Sequence, residues 1–193
     1  MSNDAIVLLR EDHKEVHRLF RAYRDLAASD GPGTGGTAAA GPGHDGSGGD
    51  GHDGSGGDEA RHEAVERIVE ALTVHSYLED ELVYPKVRVA VPELAEEMRR
   101  AHEEHHVADL LCEELSRMKP SDDGFDAKTT VLIDAVERHI AVEEGEWFPR
   151  IRAALGRKEL QEIGERMRAV RETAPRRPTG AGVLHRVADA LEG

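Results

Sequence analysis

Apolar residues recur at three- and four-residue steps along most of the chain, which is the period of amphipathic α-helices. In the first such segment, for example, Ile6, Leu9, Val16 and Phe20 share one helical face. The pattern predicts helices over five segments, which are 3–28, 59–89, 92–118, 125–155 and 158–172. Because four of them are long and most connections are short, the pattern predicts an all-α, up-down four-helix bundle.

Prolines set the expected limits of these helices. Pro85 lies inside the second segment and is expected to kink or end that helix, because proline lacks an N–H and its ring clashes with the preceding turn. Pro92 suits the first turn of the third helix. We therefore predict a bundle over 1–155 and a C-terminal extension over 156–193, consisting of a short amphipathic helix and a tail.

The connection between the first and second helices has a different composition. Glycine dominates 29–58, where the near-repeat GHDGSGGD occurs twice in succession. Such a segment has little to bury, so we predict a flexible insert, far longer than adjacent helices need. We assign no metal site to its His44 and His52.

Composition and charge narrow the classes of function. The 193-residue chain has a formal net charge of −14, which disfavours binding to nucleic-acid phosphates or to anionic membrane surfaces. Cys112 is the single cysteine, so an internal disulfide and a thiolate-rich metal site are excluded. Neither a basic, apolar leader nor a membrane-length apolar run is present, and we expect a cytoplasmic protein.

Five titratable residues fall on the apolar faces of three predicted helices. His13 lies near the centre of the first face, and His75 and Glu79 share the second. His139 and Glu143 share the fourth, again one helical turn apart, so each pair reaches one point of the interior. Buried carboxylates without a cation cost several kcal/mol each, and mixed imidazole and carboxylate ligands suit iron, manganese or zinc. These five residues predict a metal site.

The spacing of a histidine four residues before a glutamate is weak evidence by itself. His62 and Glu66 have this spacing, but His62 faces well away from His75, so we expect both to be solvated. His17 lies only at the edge of its apolar face. The combination of inward-facing residues on several helices carries the prediction.

The third helix supplies its ligand less clearly. Its apolar stripe is defined by Val107, Leu110, Leu111, Leu115 and Met118. Extended backward, this stripe reaches Glu104, which we predict as the sixth ligand. His105 and His106 are the alternatives if the helix is rotated or locally irregular.

These residues, in this order, resemble the hemerythrin-like HHE cation-binding family over about 5–155, apart from the insert. The matching segments are EDHKEV at 11–16, HSYLEDE at 75–81 running on to Tyr84 and Pro85, EEHHV at 103–107, and HIAVEE at 139–144 running on to Phe148 and Pro149. The resemblance implies a non-heme diiron site in the bundle core. His13, His75 and His139 would be terminal ligands, and Glu79 and Glu143 bridging or terminal carboxylates.

The third helix separates this chain from the family's oxygen carriers, which place two histidines one turn apart there. Here the best-facing residue is Glu104, and Arg100 lies one turn earlier. Fewer imidazoles and more carboxylates stabilise ferric iron, so this departure from the family pattern disfavours reversible oxygen carriage and favours oxidation, peroxide or nitric oxide chemistry, or iron sensing.

Three functional hypotheses follow. The first is a diiron protein that binds a small diatomic molecule or peroxide, with enzymatic turnover left undecided. The second is an iron-dependent sensor or interaction module, in which the metal orders the bundle and an unknown protein partner reads it. The third is a bundle without metal, in which the histidines and glutamates satisfy one another by hydrogen bonds.

Overall fold

The computed structural model describes residues 4–29 and 55–178, and these are helical with short connections and no strand. The helices are α1 (Ala5–Ser29), α2 (Ser55–Leu78), α3 (Tyr84–Ala90), α4 (Ala95–Leu115), α5 (Phe125–Val142), α6 (Phe148–Ala154) and α7 (Arg157–Arg171). The wide π-helical turn Glu79–Val83 joins α2 to α3, and a second one, Glu143–Trp147, joins α5 to α6. The all-α bundle predicted from the sequence is confirmed.

The two π-helical turns explain how prolines are accommodated inside long helices. The N–H of Tyr84 bonds to the carbonyl of Glu79, five residues back, and the N–H of Phe148 bonds to that of Glu143. The next residue in each case is a proline, whose ring would clash with a carbonyl of a regular turn. The extra residue relieves this clash, and the regular part of α2 ends at Leu78, shortly before Pro85, in a widened turn.

The core consists of two apolar clusters, one toward each end of the bundle. The first core cluster includes Leu9, Leu78, Met98, Trp147 and residues of α7, and the second includes Phe20, Ile68, Leu115, Phe125 and Leu132. Along α1, His13 lies between Leu9 of the first cluster and Val16 of the second. The other inward-facing histidines occupy the same intermediate level, so a polar layer crosses the middle of the bundle.

The buried face of α4 differs from the predicted stripe. It is formed by residues at steps of three, four, seven and three, which are Met98, Ala101, His105, Cys112 and Leu115. Val107 and Leu110, which helped to define the stripe, are 54% and 47% exposed. Surface helices carry some exposed aliphatic residues, and counting them rotated the predicted face away from His105.

The C-terminal extension begins with a helix that packs on the bundle. Leu160, Ile163 and Met167 of α7 are buried in the first core cluster, and α7 contacts both α1 and α2. Of the predicted insert, 30–54 lie outside the described residues, as does the tail from 179 onward. α2 begins at Ser55, a few residues before the sequence predicted. Within the described ranges, no helix has the length and apolarity needed to cross a membrane.

Candidate metal centre

Four histidine rings turn the same nitrogen, Nε2, toward one region between the two core clusters. His13 comes from α1, His75 from α2, His105 from α4 and His139 from α5. None of the four is more than 8% exposed. The Nε2 atoms of His105 and His139 lie 3.1 Å apart. All four helices of the bundle therefore contribute an imidazole to one polar layer.

Two fully buried carboxylates, Glu79 and Glu143, lie among these nitrogens. The contacts with Nε2 atoms are His75 to Glu79 Oε2 at 3.2 Å, His105 to Glu79 Oε2 at 3.5 Å, His13 to Glu143 Oε2 at 3.2 Å and His139 to Glu143 Oε1 at 3.6 Å. Each carboxylate thus faces one histidine of α1 or α2 and one of α4 or α5.

The ligand atoms form two sets, each with its atoms within 4.8 Å of one another. The first set is His13, His75, Glu79 and Glu143, and the second is Glu79, His105 and His139. Because Glu79 belongs to both sets, the arrangement suits two neighbouring cations that share a carboxylate.

A carboxylate also faces the outer nitrogen, Nδ1, of every ring. The four contacts are Glu144 with His13 at 2.8 Å, Asp12 with His75 at 3.6 Å, Asp80 with His105 at 3.3 Å and Glu104 with His139 at 2.7 Å. A histidine that donates from Nδ1 presents the lone pair of Nε2 inward, and such partners orient metal-bound histidines. The distance of 3.6 Å between Asp12 and His75 Nδ1 is too long for a hydrogen bond, so Asp12 faces its histidine without bonding to it.

The residue after each π-helical turn places an aromatic ring against the cluster. Tyr84 stacks on His105 with the ring centroids 5.6 Å apart, and Phe148 stacks on His13 at the same distance. The Tyr84 hydroxyl donates to Glu79 Oε2 at 3.1 Å and lies 3.0 Å from Glu143 Oε1, a second acceptor. The two aromatic positions therefore differ in one hydroxyl, which reaches both inner carboxylates.

These contacts reveal a repeat in the sequence of the site. The first unit contains Asp12, His13, His75, Glu79, Asp80, Tyr84 and Pro85. The corresponding residues of the second unit are Glu104, His105, His139, Glu143, Glu144, Phe148 and Pro149. The first unit is longer because it contains the glycine-rich insert. The carboxylate that opens each unit, Asp12 or Glu104, faces the second histidine of its own unit. The carboxylate after the inner glutamate, Asp80 or Glu144, contacts the first histidine of the other unit, and so does the aromatic ring.

The structure brings together five of the six predicted ligands, namely His13, His75, Glu79, His139 and Glu143. The sixth, Glu104, is 44% exposed and accepts a hydrogen bond from His139 Nδ1, so it lies outside both sets of ligand atoms. His105, one of the alternatives, takes the inward position. The other alternative, His106, is half-buried on a different side of α4.

The repeat is the sequence signal that identifies His105. Asp12 and His13 form an acidic residue followed by an inward histidine, and Glu104 and His105 repeat this pair. The hydrophobic period of the helix assigned the inward position to Glu104, whereas in the structure His105 occupies it. Of the weaker candidates, His17 is partly exposed beside Glu137, and Glu66 pairs with Arg177. His62 differs from the expectation, because it is half-buried and its Nδ1 is shielded from solvent.

The electrostatics of the metal-free cluster follow from its buried charges. Burial opposes protonation of His75, but the carboxylates of Glu79 and Asp12 outweigh it and hold the pKa of His75 well above its usual value. The same opposition of burial and nearby carboxylates, above all Asp80, raises the pKa of His105 to about 9. Burial also opposes ionisation of Glu143, yet the imidazoles around it lower its pKa. Without a cation, the cluster therefore holds protons on imidazoles beside ionised carboxylates.

Several buried atoms at the cluster have no hydrogen-bond partner among the described residues. They are His13 Nε2, His75 Nδ1, His75 Nε2, Glu79 Oε1 and Glu143 Oε2. A buried polar atom without a partner destabilises a protein by about 1–3 kcal/mol. Four of these five atoms point into the ligand sets, where coordinated cations would satisfy them. The residues therefore fit a metal better than they fit the hypothesis of mutual hydrogen bonding.

Fold and site together define a metal-binding four-helix bundle protein. The sequence model of the hemerythrin HHE cation binding domain matches residues 4–151, and the chain belongs to this family. A solved structure, a hemerythrin HHE cation binding domain-containing protein from Mycobacterium kansasii, has the same fold. It is 24% identical, with a TM-score of 0.60 over 88% of this chain and 86% of that one.

A curated relative from Nostoc sp. bears the name DNA nickase. It is 28% identical over 121 residues, which cover 61% of this chain but 34% of the relative. The chain therefore spans about a third of the length of the curated relative that it matches.

Proposed function

We propose that this protein binds two non-heme iron ions in the bundle core and reacts there with dioxygen, peroxide or nitric oxide. The observation that carries the proposal is the double set of buried ligand atoms joined by Glu79. His13 and His75 would hold one ion and His105 and His139 the other, with Glu79 and Glu143 between them. Mixed imidazole and carboxylate ligands suit iron, and two such ions supply redox chemistry toward small oxidants.

The chain's own residues would keep this chemistry dry and oriented. The outer carboxylates fix the imidazole rings, and the first and second core clusters exclude water from both sides of the polar layer. Burial and the adjacent carboxylates, Glu143 foremost, raise the pKa of Tyr84 well above its usual value, so its hydroxyl stays protonated at neutral pH. Tyr84 can therefore hold a proton next to both inner carboxylates.

The ligand on the third helix of the bundle differs from the one expected when oxygen carriage was disfavoured. The third helix of the bundle does supply an imidazole, that of His105, so the site is richer in nitrogen than Glu104 would make it. However, the positions one turn before and after His105 are Ala101 and Asp109, so no second imidazole follows at that spacing. We therefore retain peroxide, nitric oxide or oxidation chemistry as the proposal.

The second candidate function is an iron-dependent sensor or interaction module. This candidate is favoured because the histidines come from four different helices, so bound metal would link α1, α2, α4 and α5 in the middle of the bundle. The matching relative is about three times longer than its matched part, which suits a module joined to other domains. DNA stays outside the proposal because the net charge of −14 opposes phosphate binding.

Iron reconstitution tests both candidates. Protein loaded with Fe²⁺ under anaerobic conditions is expected to retain two ions per chain after desalting, with His105→Ala retaining one and the control His106→Ala retaining two. Exposure to oxygen, peroxide and nitric oxide should then give distinct absorption spectra. Retention of two ions with spectra that none of the three reagents changes would support the sensor. A wild-type chain that retains no iron would contradict both candidates.

A further inference from the structure

Asp12 lies between a candidate ligand and a helix that is not part of the matched domain. Arg171 Nη2, at the end of α7, donates to Asp12 Oδ2 at 2.6 Å, and this same oxygen is 3.6 Å from His75 Nδ1. The family match ends at residue 151, before α7 begins. A residue beyond the matched domain therefore contacts the carboxylate that faces His75.

The second unit of the repeat also has an arginine beside its outer carboxylate. Glu104, which corresponds to Asp12, accepts from His139 Nδ1 at 2.7 Å and is approached by Arg100 Nε at 3.4 Å. Arg100 lies one turn before Glu104 on the same helix. The position one turn before Asp12 is Leu8, which packs against the first core cluster. The first unit thus has no arginine at the position one turn before its carboxylate, and α7 supplies one to Asp12 from outside.

Asp12 has room to move if it is not held. With Val16, Val74 and Arg171 it lines a cavity of about 280 Å³. His75 Nδ1 is buried and has no hydrogen-bond partner among the described residues, and the carboxylate that faces it, at 3.6 Å, is that of Asp12. Without the guanidinium, the carboxylate can turn into the cavity and away from His75.

We propose that Arg171 is a positioning residue for His75: it holds Asp12 beside the ring and so strengthens metal binding at the His13 and His75 position. The inference rests on the proposed function, since it concerns one of the two proposed ions. α7 can carry this role because Leu160, Ile163 and Met167 fix it in the first core cluster. A fixed helix limits the movement of the guanidinium that it carries.

Titration of the full chain with Fe²⁺ under anaerobic conditions, against a competing chelator, tests the inference. Each position is measured alone, in a His105→Ala background that keeps the first position and in a His75→Ala background that keeps the second. Arg171→Ala should weaken the first position about tenfold, at the lower end of the range for outer partners of metal ligands. Arg100→Ala should weaken the second position and leave the first unchanged.

Matched variants separate positioning from a structural role. Arg168→Ala, an exposed α7 variant, should leave both affinities unchanged. In an Asp12→Ala background, Arg171→Ala should have no further effect, because Arg171 acts through Asp12. Arg171→Lys should recover most of the affinity, since an ammonium can also hold the carboxylate. If Arg171→Ala prevents folding, Arg171→Gln removes the charge and keeps the side-chain length.

Failure of the inference and failure of the proposed function give different results. If wild type binds two ions and Arg171→Ala binds both with unchanged affinity, or weakens both positions equally, the positioning role is wrong and the metal site stands. A fall in melting temperature with unchanged iron affinity has the same meaning. If wild type binds no iron, the proposed function fails and this inference fails with it.

Discussion

The two units of the repeat build the same half-site with different degrees of reinforcement. Both place a histidine and a glutamate one turn apart, then a π-helical turn, an aromatic ring and a proline. The second unit holds His139 by a 2.7 Å hydrogen bond from Nδ1 to Glu104, whereas Asp12 stands 3.6 Å from His75 and is held by α7. The first unit, in turn, carries the hydroxyl of Tyr84 where the second carries Phe148.

This difference indicates that helical spacing determines the inner ligands, whereas the residues that contact them from outside are determined by tertiary packing. The inner residues follow from helical spacing within each unit, so both units share them. The outer contacts depend on what packs nearby, and here one unit borrows an arginine from α7 while the other uses Arg100 of its own helix. We therefore expect the two metal positions to have similar ligands but different affinities.

The largest effect is expected where the two units meet. Glu143 faces His13 of the first unit and His139 of the second. Loss of a residue that contacts metal ligands only from outside weakens metal binding by up to about 100-fold, so loss of an inner carboxylate in Glu143→Ala should weaken both positions by at least that much. Chelator competition measures the affinity. Glu146→Ala, an exposed neighbour in the same π-helical turn, should behave as wild type. Loss of only one ion would show that Glu143 belongs to one unit alone.

The next effect concerns neighbouring residues of α4. His105→Ala should remove one ion, because it deletes an inner nitrogen, whereas Glu104→Ala should keep two ions and weaken one about 10- to 100-fold. Iron content and chelator competition distinguish these results. The reverse order would restore Glu104 as the ligand that periodicity predicted.

The pH dependence of stability should differ between metal-free and loaded protein. The raised pKa of His105, about 9, stabilises the metal-free fold below the unfolded value of 6.5, and this contribution is lost as the pH rises through 9. The melting temperature of the chelated protein should therefore fall as the pH rises from 6.5 to 9. The fall should be smaller in the His105→Ala variant. An equal fall in both would assign the effect to other groups.

The smallest effect tests the hydroxyl that distinguishes the two aromatic positions. Tyr84→Phe keeps the ring on His105 but removes a hydrogen bond to the Glu143 carboxylate, whose lowered pKa keeps it ionised, so it should destabilise the metal-free protein by about 1.5–3 kcal/mol. Chemical denaturation of chelated protein measures this change. Tyr77→Phe, on a partly buried tyrosine of α2, is the control and should cost less. Equal costs would mean that the hydroxyl of Tyr84 adds nothing at the cluster.

Much of the site could be predicted from local spacing. His75 with Glu79 and His139 with Glu143 could be identified without a structure, because each pair lies one turn apart and also falls on the apolar face of its helix, unlike His62 with Glu66. The third helix shows the limit of this reasoning. Its large aliphatic residues lie on two faces, and the exposed Val107 and Leu110 shifted the predicted interior from His105 to Glu104.

The sequence by itself determined the helical period, the family resemblance and the five inner residues on three helices, because these depend on neighbours within one or two turns. Only the tertiary structure decided the rotation of α4, the widening of the helices before Pro85 and Pro149, and the contact of Arg171 with Asp12. The physical reason is that packing between helices sets how each one turns about its axis. Contacts between residues more than a hundred positions apart leave no periodic trace along the chain.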